Sequence, residues 1–311
     1  MRIFVTGATG LVGSGLCAAL LRRGDEVTAL SRKPPPAAKD SPRWIVGDPA
    51  LPGPWQKEID GAFAIVHLAG ESIASGRWTR ARKARLLASR VDSTRLIGQT
   101  LSTCANPPKV WVNASATGYY GMRGEEQLAE DAAPGDDFLA RLCCEWEAAA
   151  LACASETLRV VCMRFGVVLS ARGGALAKML PPFRLGLGGP VGPRERWFPW
   201  IHESDALGLI MHAVHPRREA DHAGNKERAL SGPVNAVAPG TVRMGEFASA
   251  LGSALGRPAR IPVPLALLRL PLGEFAELIS PGQRVQCERA LASGYRFAHP
   301  AIDAALRACL V

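Results

Sequence analysis

A glycine-rich segment near the start of the sequence constrains the fold more than any other feature. It reads T-G-A-T-G-L-V-G over residues 6–13, directly after the apolar run Arg2–Thr6 and before an amphipathic helical pattern. Gly7 permits a tight turn, Gly10 leaves the backbone open to a pyrophosphate, and Gly13 lets the helix pack closely against the strand. Because a helix N-terminus favours an anion, this order of strand, turn and helix predicts a dinucleotide site.

Short apolar runs alternate with helical patterns through the first half of the sequence. The runs that predict strands are Arg2–Thr6, Glu26–Leu30, Trp44–Val46, Ala64–Leu68, Lys109–Asn113 and Arg159–Phe165. The patterns that predict helices are Leu11–Leu21, Ser89–Leu101 and Phe138–Ala152. Such alternation is typical of a parallel sheet with helices on both faces, joined by right-handed crossovers. The predicted fold class is therefore α/β, a doubly wound parallel sheet of the Rossmann type.

The pattern changes after Leu169. Residues 173–193 are rich in Gly and Pro and show no strand alternation, whereas 216–228 are polar and predict an exposed loop. Residues 233–237 predict a last strand. We divide the chain into a dinucleotide-binding domain and a smaller lobe that covers the substrate. The domain comprises residues 1–170 with 200–240 returning to it, and the lobe comprises 171–199 and 241–311.

Composition argues against several kinds of partner. Lys and Arg number 37 against 28 Asp and Glu, but the arginines of residues 77–90 are interleaved with Ala and Leu, which predicts a helix with one solvated face. No apolar run approaches the ~20 residues of a membrane helix, and the sequence opens on a strand pattern rather than a signal core. We expect a cytoplasmic protein that binds a small molecule rather than nucleic acid or membrane. Its oligomeric state is left open.

The eight cysteines show no CxxC motif and no spacing with His that would suit a metal ion. Several lie in apolar runs, where Cys acts as a small hydrophobic residue. We therefore predict a reducing compartment, no disulfide framework and no metal site.

The end of the second predicted strand indicates which dinucleotide is bound. NAD-binding proteins of this fold usually place an acid here to hold the ribose 2′-hydroxyl. This chain has Ser31, Arg32 and Lys33 instead. A carboxylate would repel a 2′-phosphate, whereas Arg32 can donate two charge-assisted hydrogen bonds to it and Ser31 can add a third. The alternative is that Arg32 and Lys33 only cap a surface loop. We predict NADP as the cofactor.

Motifs along nearly the whole chain resemble one family. Besides the glycine turn, they are residues 66–70 (VHLAG), 70–73 (GESI), 77–79 (RWT), 89–90 (SR), 115–121 (SATGYYG), 164–169 (RFGVVL), 179–190 (MLPPFRLGLGGP), 200–205 (WIHESD) and 282–285 (GQRV). The chain resembles the extended short-chain dehydrogenases/reductases and, more narrowly, their atypical epimerase-family group in the NAD-dependent epimerase/dehydratase superfamily. Members of that group are described as predicted nucleoside-diphosphate sugar epimerases, and some bacterial ones as cell-division inhibitors.

The resemblance implies cofactor contacts beyond the turn, mostly after the carboxyl ends of strands. From the turn itself the expected contacts are Gly7, Thr9, Gly10, Leu11, Val12 and Gly13. Further along they are Leu68, Ala69 and Gly70 on the adenosine side, Arg90 near the phosphates, Ala114 and Ser115 beside the nicotinamide, and Phe165, Gly166, Val167 and Val168 over it. His202 and Asp205 are expected to hold the two lobes together through buried hydrogen bonds.

The usual catalytic pair of the superfamily is missing. Its members act through a Tyr and a Lys four residues later, on one helix face. Our alignment places Asp137 and Arg141 at these positions, so the Tyr is absent. Arg141 would bind ribose hydroxyls, but it cannot serve as an acid or base.

Other groups are candidates for the proton transfer. Ser115 and Thr117 stand where the superfamily keeps a hydroxyl that binds the substrate oxygen, and Glu71 follows the fourth strand. Tyr119 and Tyr120 either supply a phenol from another direction or only pack in their loop. The sequence favours an NADP-dependent oxidoreductase or epimerase acting on a small polar substrate, a nucleotide sugar among the options. The alternative is an NADPH-binding sensor or regulatory protein without turnover.

Replacing Arg32 by Ala should weaken NADPH binding about tenfold or more, because the charge-assisted hydrogen bonds to the 2′-phosphate are lost. NADH binding should not change. Titration of each reduced nucleotide by its fluorescence measures both constants, with Lys39→Ala as a control for general charge. Equal affinity of the unaltered protein for NADPH and NADH, or no loss in Arg32→Ala, would contradict the prediction.

Overall fold

The computed structural model describes residues 1–36, 38–74, 76–215, 229–264 and 282–310. The strands are β1 Arg2–Thr6, β2 Glu26–Ser31, β3 Arg43–Val46, β4 Ala64–His67, β5 Val110–Ala116, β6 Gln127–Leu128, β7 Arg159–Phe165, β8 Val167–Leu169, β9 Trp197–Phe198, β10 Trp200–His202, β11 Gly232–Ala236, β12 Val242–Arg243 and β13 Arg284–Val285. The helices are α1 Leu11–Arg22, α2 Arg80–Leu101, α3 Phe138–Leu151, α4 Gly174–Arg184, α5 Glu203–Val214, α6 Met244–Leu255, α7 Glu288–Ala292 and α8 Ile302–Leu310.

A seven-stranded parallel sheet with the order β11-β7-β5-β4-β1-β2-β3 forms the centre of the molecule. The chain starts at β1, adds β2 and β3 on one side, and then returns to add β4 and its successors on the other. This reversal opens a crevice beyond the carboxyl ends of β1 and β4, which is where sheets of this type bind ligands. The predicted fold class is confirmed.

Alternate residues of the central strands face opposite layers of helices. Val5 and Val112 pack with the buried faces of α1 and α5 in one core. Phe4 and Trp111 pack on the other side, in a core to which α2 and α3 contribute. Because both faces of the sheet are covered, its inner strands are mostly apolar on both faces rather than alternating.

Two helices extend the sequence prediction. Helix α2 is continuous from Arg80 to Leu101, so the helical pattern of residues 77–90 and the predicted helix Ser89–Leu101 form one helix, which Thr79 caps by accepting a hydrogen bond from Arg82 N. Helix α4 lies inside the Gly/Pro-rich stretch for which the sequence showed no strand alternation, and it contains Pro181 and Pro182. Leu176, Leu180 and Phe183 form an apolar stripe on α4 that is buried in a second core, and this burial outweighs the cost of proline in a helix.

The second core lies mostly in the segments predicted as the smaller lobe. It joins α4, α6 and α8 with residues of β8, β9 and β10. Residues 284–290 depart from the predicted division, because Val285, Cys287 and Ala290 pack into the core of the main sheet. The predicted loop 216–228 lies outside the described residues, as does part of the lobe at 265–281. In the part of the chain that is described, no helix is both long and apolar enough to cross a membrane.

Asp205 connects α5 to the segment that precedes α8. Its buried carboxylate accepts hydrogen bonds from Ala298 N at 2.7 Å, from His299 N at 2.9 Å and from the Tyr295 hydroxyl at 3.3 Å. His202 does not share this role as expected. Its Nδ1 accepts from Ser204 N and caps α5, and its ring contacts that of His299 with the two planes tilted by 47°.

Replacing Asp205 by Ala should lower the free energy of unfolding by about 2–4 kcal/mol, because two backbone N–H groups lose their acceptor, whereas the Tyr295 hydroxyl keeps its bond to the main-chain oxygen of residue 205. Denaturant unfolding followed by circular dichroism measures the change. Asp303→Asn, at an exposed position, should cost less than about 1 kcal/mol. Similar unfolding midpoints for the two variants would show that Asp205 does not anchor this segment.

Candidate functional site

The glycine turn after β1 lies at the reversal of the sheet. Gly7 has φ of +70°, and a Cβ there would lie 2.6 Å from the Leu68 carbonyl carbon, so neither the conformation nor the space suits another residue. A Cβ on Gly13 would lie 2.2 Å from Gly7 O. Helix α1 begins beyond Gly10 without a side-chain cap, so its first N–H groups point to the crevice. These features form a cradle that fits a pyrophosphate.

The ends of β2 and β3 lie side by side next to this cradle. Arg32 is largely exposed, and its Nη1 lies 3.9 Å from Asp48 Oδ2. The Ser31 hydroxyl accepts a hydrogen bond from Lys33 N. The sequence showed no acid at the end of β2, and the acid that the structure brings to Arg32 comes from the neighbouring strand. Only the pairing of β2 with β3 reveals this neighbour.

The loop after β4 closes the other side of the cradle. His67 is buried, and its ring nitrogens bind the hydroxyls of Thr6 at 2.6 Å and Ser93 at 3.0 Å. Burial, with a smaller contribution from Arg90, lowers the pKa of His67 to about 3, so its imidazole is neutral. These bonds join β1, β4 and α2, and thereby fix the position from which Leu68 leaves the sheet.

Arg90 packs directly against this loop. A Cβ on Gly70 would lie 3.1 Å from the Arg90 guanidinium carbon, which also lies 5.2 Å from the centre of the Trp146 ring. Arg90 donates to Glu71 O at 3.0 Å and to Leu86 O. In this arrangement its hydrogen bonds hold the loop onto α2.

The Glu71 carboxylate is also bound to α2. It forms ion pairs with Arg82 and, at 3.7 Å, with Arg85. The Arg82 guanidinium donates to Ser72 O as well. Two cations on one helix therefore hold Glu71, the carboxylate that the sequence offered for proton transfer.

Ser115 at the end of β5 faces α3. Its hydroxyl donates to Glu147 Oε1 at 2.6 Å, and both side chains are buried. Glu147 in turn accepts two hydrogen bonds from Arg164, each 2.8 Å long, in a fully buried ion pair. The sequence reasoning missed this pair. Its only signal was an acid on the apolar face of α3, with an arginine inside an apolar strand.

The same network binds one of the two tyrosines. Arg164 Nη1 donates to the Tyr120 hydroxyl at 2.9 Å, which donates to Asn235 Oδ1 at 2.7 Å. Burial raises the pKa of Tyr120 to about 12. The Tyr119 ring lies 3.4 Å from the Arg164 guanidinium carbon and is half-buried. Of the two phenols, only that of Tyr119 retains access to solvent.

Helix α3 presents an apolar face to the end of β5. Asp137 caps this helix by accepting from Ala140 N at 2.9 Å, and Arg141 is exposed on the outer face, with its guanidinium on Asp136 O. The structure therefore does not bring Arg141 to the site, and the alignment that placed it at the Lys position is wrong.

Leu139 and Cys143 occupy the inner face instead, spaced four residues apart. Leu139 contacts Gly118, and the Cys143 thiol lies beside Ser115. Burial raises the pKa of Cys143 to about 12, so its thiol is neutral. Neither residue supplies the phenol or the ammonium group that the superfamily uses.

The segment after β7 completes the crevice. Gly166 lies so close to Pro199 that a Cβ would approach its carbonyl oxygen to 2.8 Å. Val167 and Val168 then continue as β8, which pairs with β10. Phe165 packs with Ala114 at the end of β5. Within the described residues no cluster of His, Cys, Asp and Glu could hold a metal ion.

Family models match most of the chain. The model of the NAD dependent epimerase/dehydratase family matches residues 3–225. The chain belongs to this family. A second model, a domain of unknown function (DUF1731), matches residues 263–309. The family predicted from the sequence motifs is confirmed.

Several relatives in this family align along nearly their whole length. The human epimerase family protein SDR39U1 is 39% identical over 99% of both chains, and the Bacillus subtilis epimerase family protein YfhF is 35% identical over 98% of this chain and 97% of its own. The crystal structure of human SDR39U1 (isoform 2) with NADPH matches with a TM-score of 0.85, at 38% identity over 99% of both chains. A nucleoside-diphosphate sugar epimerase from Corynebacterium glutamicum matches with a TM-score of 0.63, at 31% identity over 100% of this chain and 65% of that one.

Replacing Glu147 by Gln should lower the free energy of unfolding by about 3–5 kcal/mol, because Arg164 would remain buried without its charge partner. The exposed Glu145→Gln on the same helix should change it by less than about 0.5 kcal/mol. Denaturant unfolding measures both.

A double variant, Glu147→Gln with Arg164→Gln, should cost less than the sum of the two single changes, since no charge is left unpaired. Additive single and double effects would indicate that the two side chains act independently.

Proposed function

We propose that this chain binds NADP(H) across the crevice between β1 and β4 and serves as an NADP-dependent oxidoreductase or epimerase of nucleotide sugars. The observation that carries the cofactor is the cradle of Gly7, Gly10 and Gly13 at the start of α1, with Arg32 beside it. The NADPH in the 38% identical human structure supports the same cofactor. The Corynebacterium relative supports the substrate class.

The residues around the cradle have distinct tasks in this proposal. The N–H groups at the start of α1 bind the pyrophosphate, and Arg32 exchanges its distant contact with Asp48 for the 2′-phosphate. Phe165 and Val167 exclude water from the nicotinamide side. Bound there, the cofactor supplies hydride transfer.

Ser115 and Thr117 are the proposed hydroxyl contacts of the substrate oxygen. Because the Ser115 hydroxyl already donates its hydrogen bond to Glu147 Oε1, Ser115 can only accept a hydrogen bond from the substrate, which favours a substrate that enters as an alcohol. Glu71 is held by Arg82 and Arg85, so we assign it to the shape of the loop rather than to proton transfer.

The sensor without turnover is the second candidate. The observation that favours it is the inner face of α3, where Leu139 and Cys143 stand in place of a proton donor and a cation. A protein of this kind would keep its bound nucleotide and change which partner it binds, and it would not convert a substrate. We also propose that the protein acts in the cytoplasm.

The experiment is to incubate the purified protein and cofactor with a panel of nucleoside-diphosphate sugars. NADPH oxidation, NADP⁺ reduction or an isomerised sugar in chromatography is the expected result. Gly10→Asp is the matched negative control. A Cβ at Gly10 lies 3.2 Å from Gly7 O and the residue is exposed, so the change should place a carboxylate in the pyrophosphate cradle with little effect on the core.

Each outcome decides between the candidates. Turnover that is absent in Gly10→Asp would establish the enzyme. Tight NADPH binding without turnover across the panel would favour the sensor. If neither NADPH nor NADP⁺ binds, both the enzyme and the sensor are overturned.

A further inference from the structure

A carboxylate of the chain occupies a cluster of cationic and N–H donors outside the cofactor crevice. The Glu125 carboxylate accepts from Arg243 Nη1 at 3.0 Å and Nη2 at 2.9 Å, and from Trp197 Nε1 at 3.1 Å. The Arg243 guanidinium carbon lies 4.5 Å from the centre of the Trp197 ring, and that of Arg284 lies 4.8 Å from it. Three donors therefore converge on one pair of oxygens, with a second guanidinium beside them.

The donors are built into paired strands. Trp197 of β9 faces Arg243 of β12 in an antiparallel pair, and Arg284 of β13 pairs with Gln127 of β6. Arg243 is positioned further by its own N–H on Glu246 and by Nη1 on Glu195 O. This pairing fixes where the guanidinium groups and the indole N–H lie, whatever fills the space between them.

The acceptor is placed differently. Glu125 lies on the turn before β6, and its side chain is 66% exposed whereas that of Arg243 is 34% exposed. An ion pair with so exposed a carboxylate gains little free energy. The hydrogen bonds and charge of Arg243, followed by Trp197, lower the pKa of Glu125, so it is an anion at neutral pH.

One hydrogen-bond donor of Arg284 lacks an acceptor among the described residues. This donor is Nε, which is buried. A buried guanidinium N–H that lacks an acceptor is destabilising, because it has given up its hydrogen bond to water without gaining another. Glu125 satisfies Arg243 and Trp197 but does not reach this donor, whereas a larger oxyanion offers more acceptor atoms.

The cluster is connected to the proposed active site by one hydrogen bond and by the course of the chain. Gln283, next to Arg284, donates to Gly121 O at 2.8 Å. Gly121 ends the turn Thr117–Tyr120 that follows β5, and it packs on Gly135 just before α3. The residues that carry Ser115 and Thr117 therefore continue directly into the turn that carries Glu125.

We propose that Trp197, Arg243 and Arg284 form the subsite for an anionic group of the substrate, a carboxylate or a phosphate, and that Glu125 occupies this subsite until the substrate displaces it. The subsite rests on the proposed function, because it names the charge of the substrate for that active site. Bidentate recognition by a guanidinium fits both oxyanions. In this proposal the Glu125 carboxylate fills the position that the anionic group of the substrate would take.

The test is calorimetric titration of the full chain with UDP-glucuronic acid, which carries both a diphosphate and a carboxylate. Glu125→Gln should bind it about fivefold more tightly, because the competing exposed ion pair is gone. Arg284→Gln should bind it about tenfold more weakly.

The matched controls are Glu126→Gln, whose carboxylate binds Arg123 on the same turn, and Arg289→Gln, an exposed arginine on α7. Both should bind like the unaltered protein.

Titrations with UDP and with free glucuronate then distinguish the two sources of the anion. Binding of UDP alone that Glu125→Gln strengthens assigns the subsite to phosphate, and the same result with glucuronate alone assigns it to a carboxylate. Equal dissociation constants for Glu125→Gln and Glu126→Gln would overturn the subsite. Equal dissociation constants for Arg284→Gln and the unaltered protein would do the same. So would no binding of any probe. A separate titration with NADPH distinguishes failure of the subsite from failure of the proposed cofactor. If the cofactor proposal fails, NADPH does not bind but the anionic probes still do.

Discussion

The buried ion pair of Glu147 and Arg164 ties together the parts of the molecule that form the crevice. It joins α3 to β7, and it reaches β5 through Ser115 and β11 through Tyr120 and Asn235. Removing two charges from water is costly, and their attraction offsets this cost only when the remaining donors and acceptors are also satisfied. Here the bidentate contact and the bonds to Ser115 and Tyr120 meet that condition. The carboxyl ends of three neighbouring strands are thereby fixed relative to α3.

This network also determines which groups remain for chemistry. Ser115 commits its proton to Glu147, and Tyr120 commits its hydroxyl to Arg164 and Asn235. On the adjoining face of α3, Leu139 and Cys143 carry no charge. The binding of a dinucleotide is therefore supported by a preformed cradle, whereas proton transfer has to come from a group outside the usual pair. The same structure supports both an enzyme with an unusual proton donor and a sensor without turnover.

The sequence predicted those features that depend on local backbone geometry. The glycines of the turn, the strands Arg2–Thr6 and Arg159–Phe165 and the missing Tyr are all visible in the order of residues. Helix α4 was not, because proline and glycine argue against a helix unless an apolar stripe finds a core to fill, and that core is assembled from distant segments. The position of Arg141 failed for a related reason. A spacing of four gives two residues a common helix face, but it does not say which face meets the sheet.

What the sequence by itself determined is a Rossmann sheet with a phosphate-binding turn, since strand period, helix period and glycine placement are short-range properties. It also determined the lack of an acid at the end of β2. Only the tertiary structure decided that Asp48 lies beside Arg32, that Glu147 binds Arg164 and Ser115, and that Glu125 lies on Trp197 and Arg243. Each of these contacts joins residues of different elements. Which residues meet depends on which strands are neighbours in the sheet and on how the helices pack against it. A local sequence pattern predicts neither.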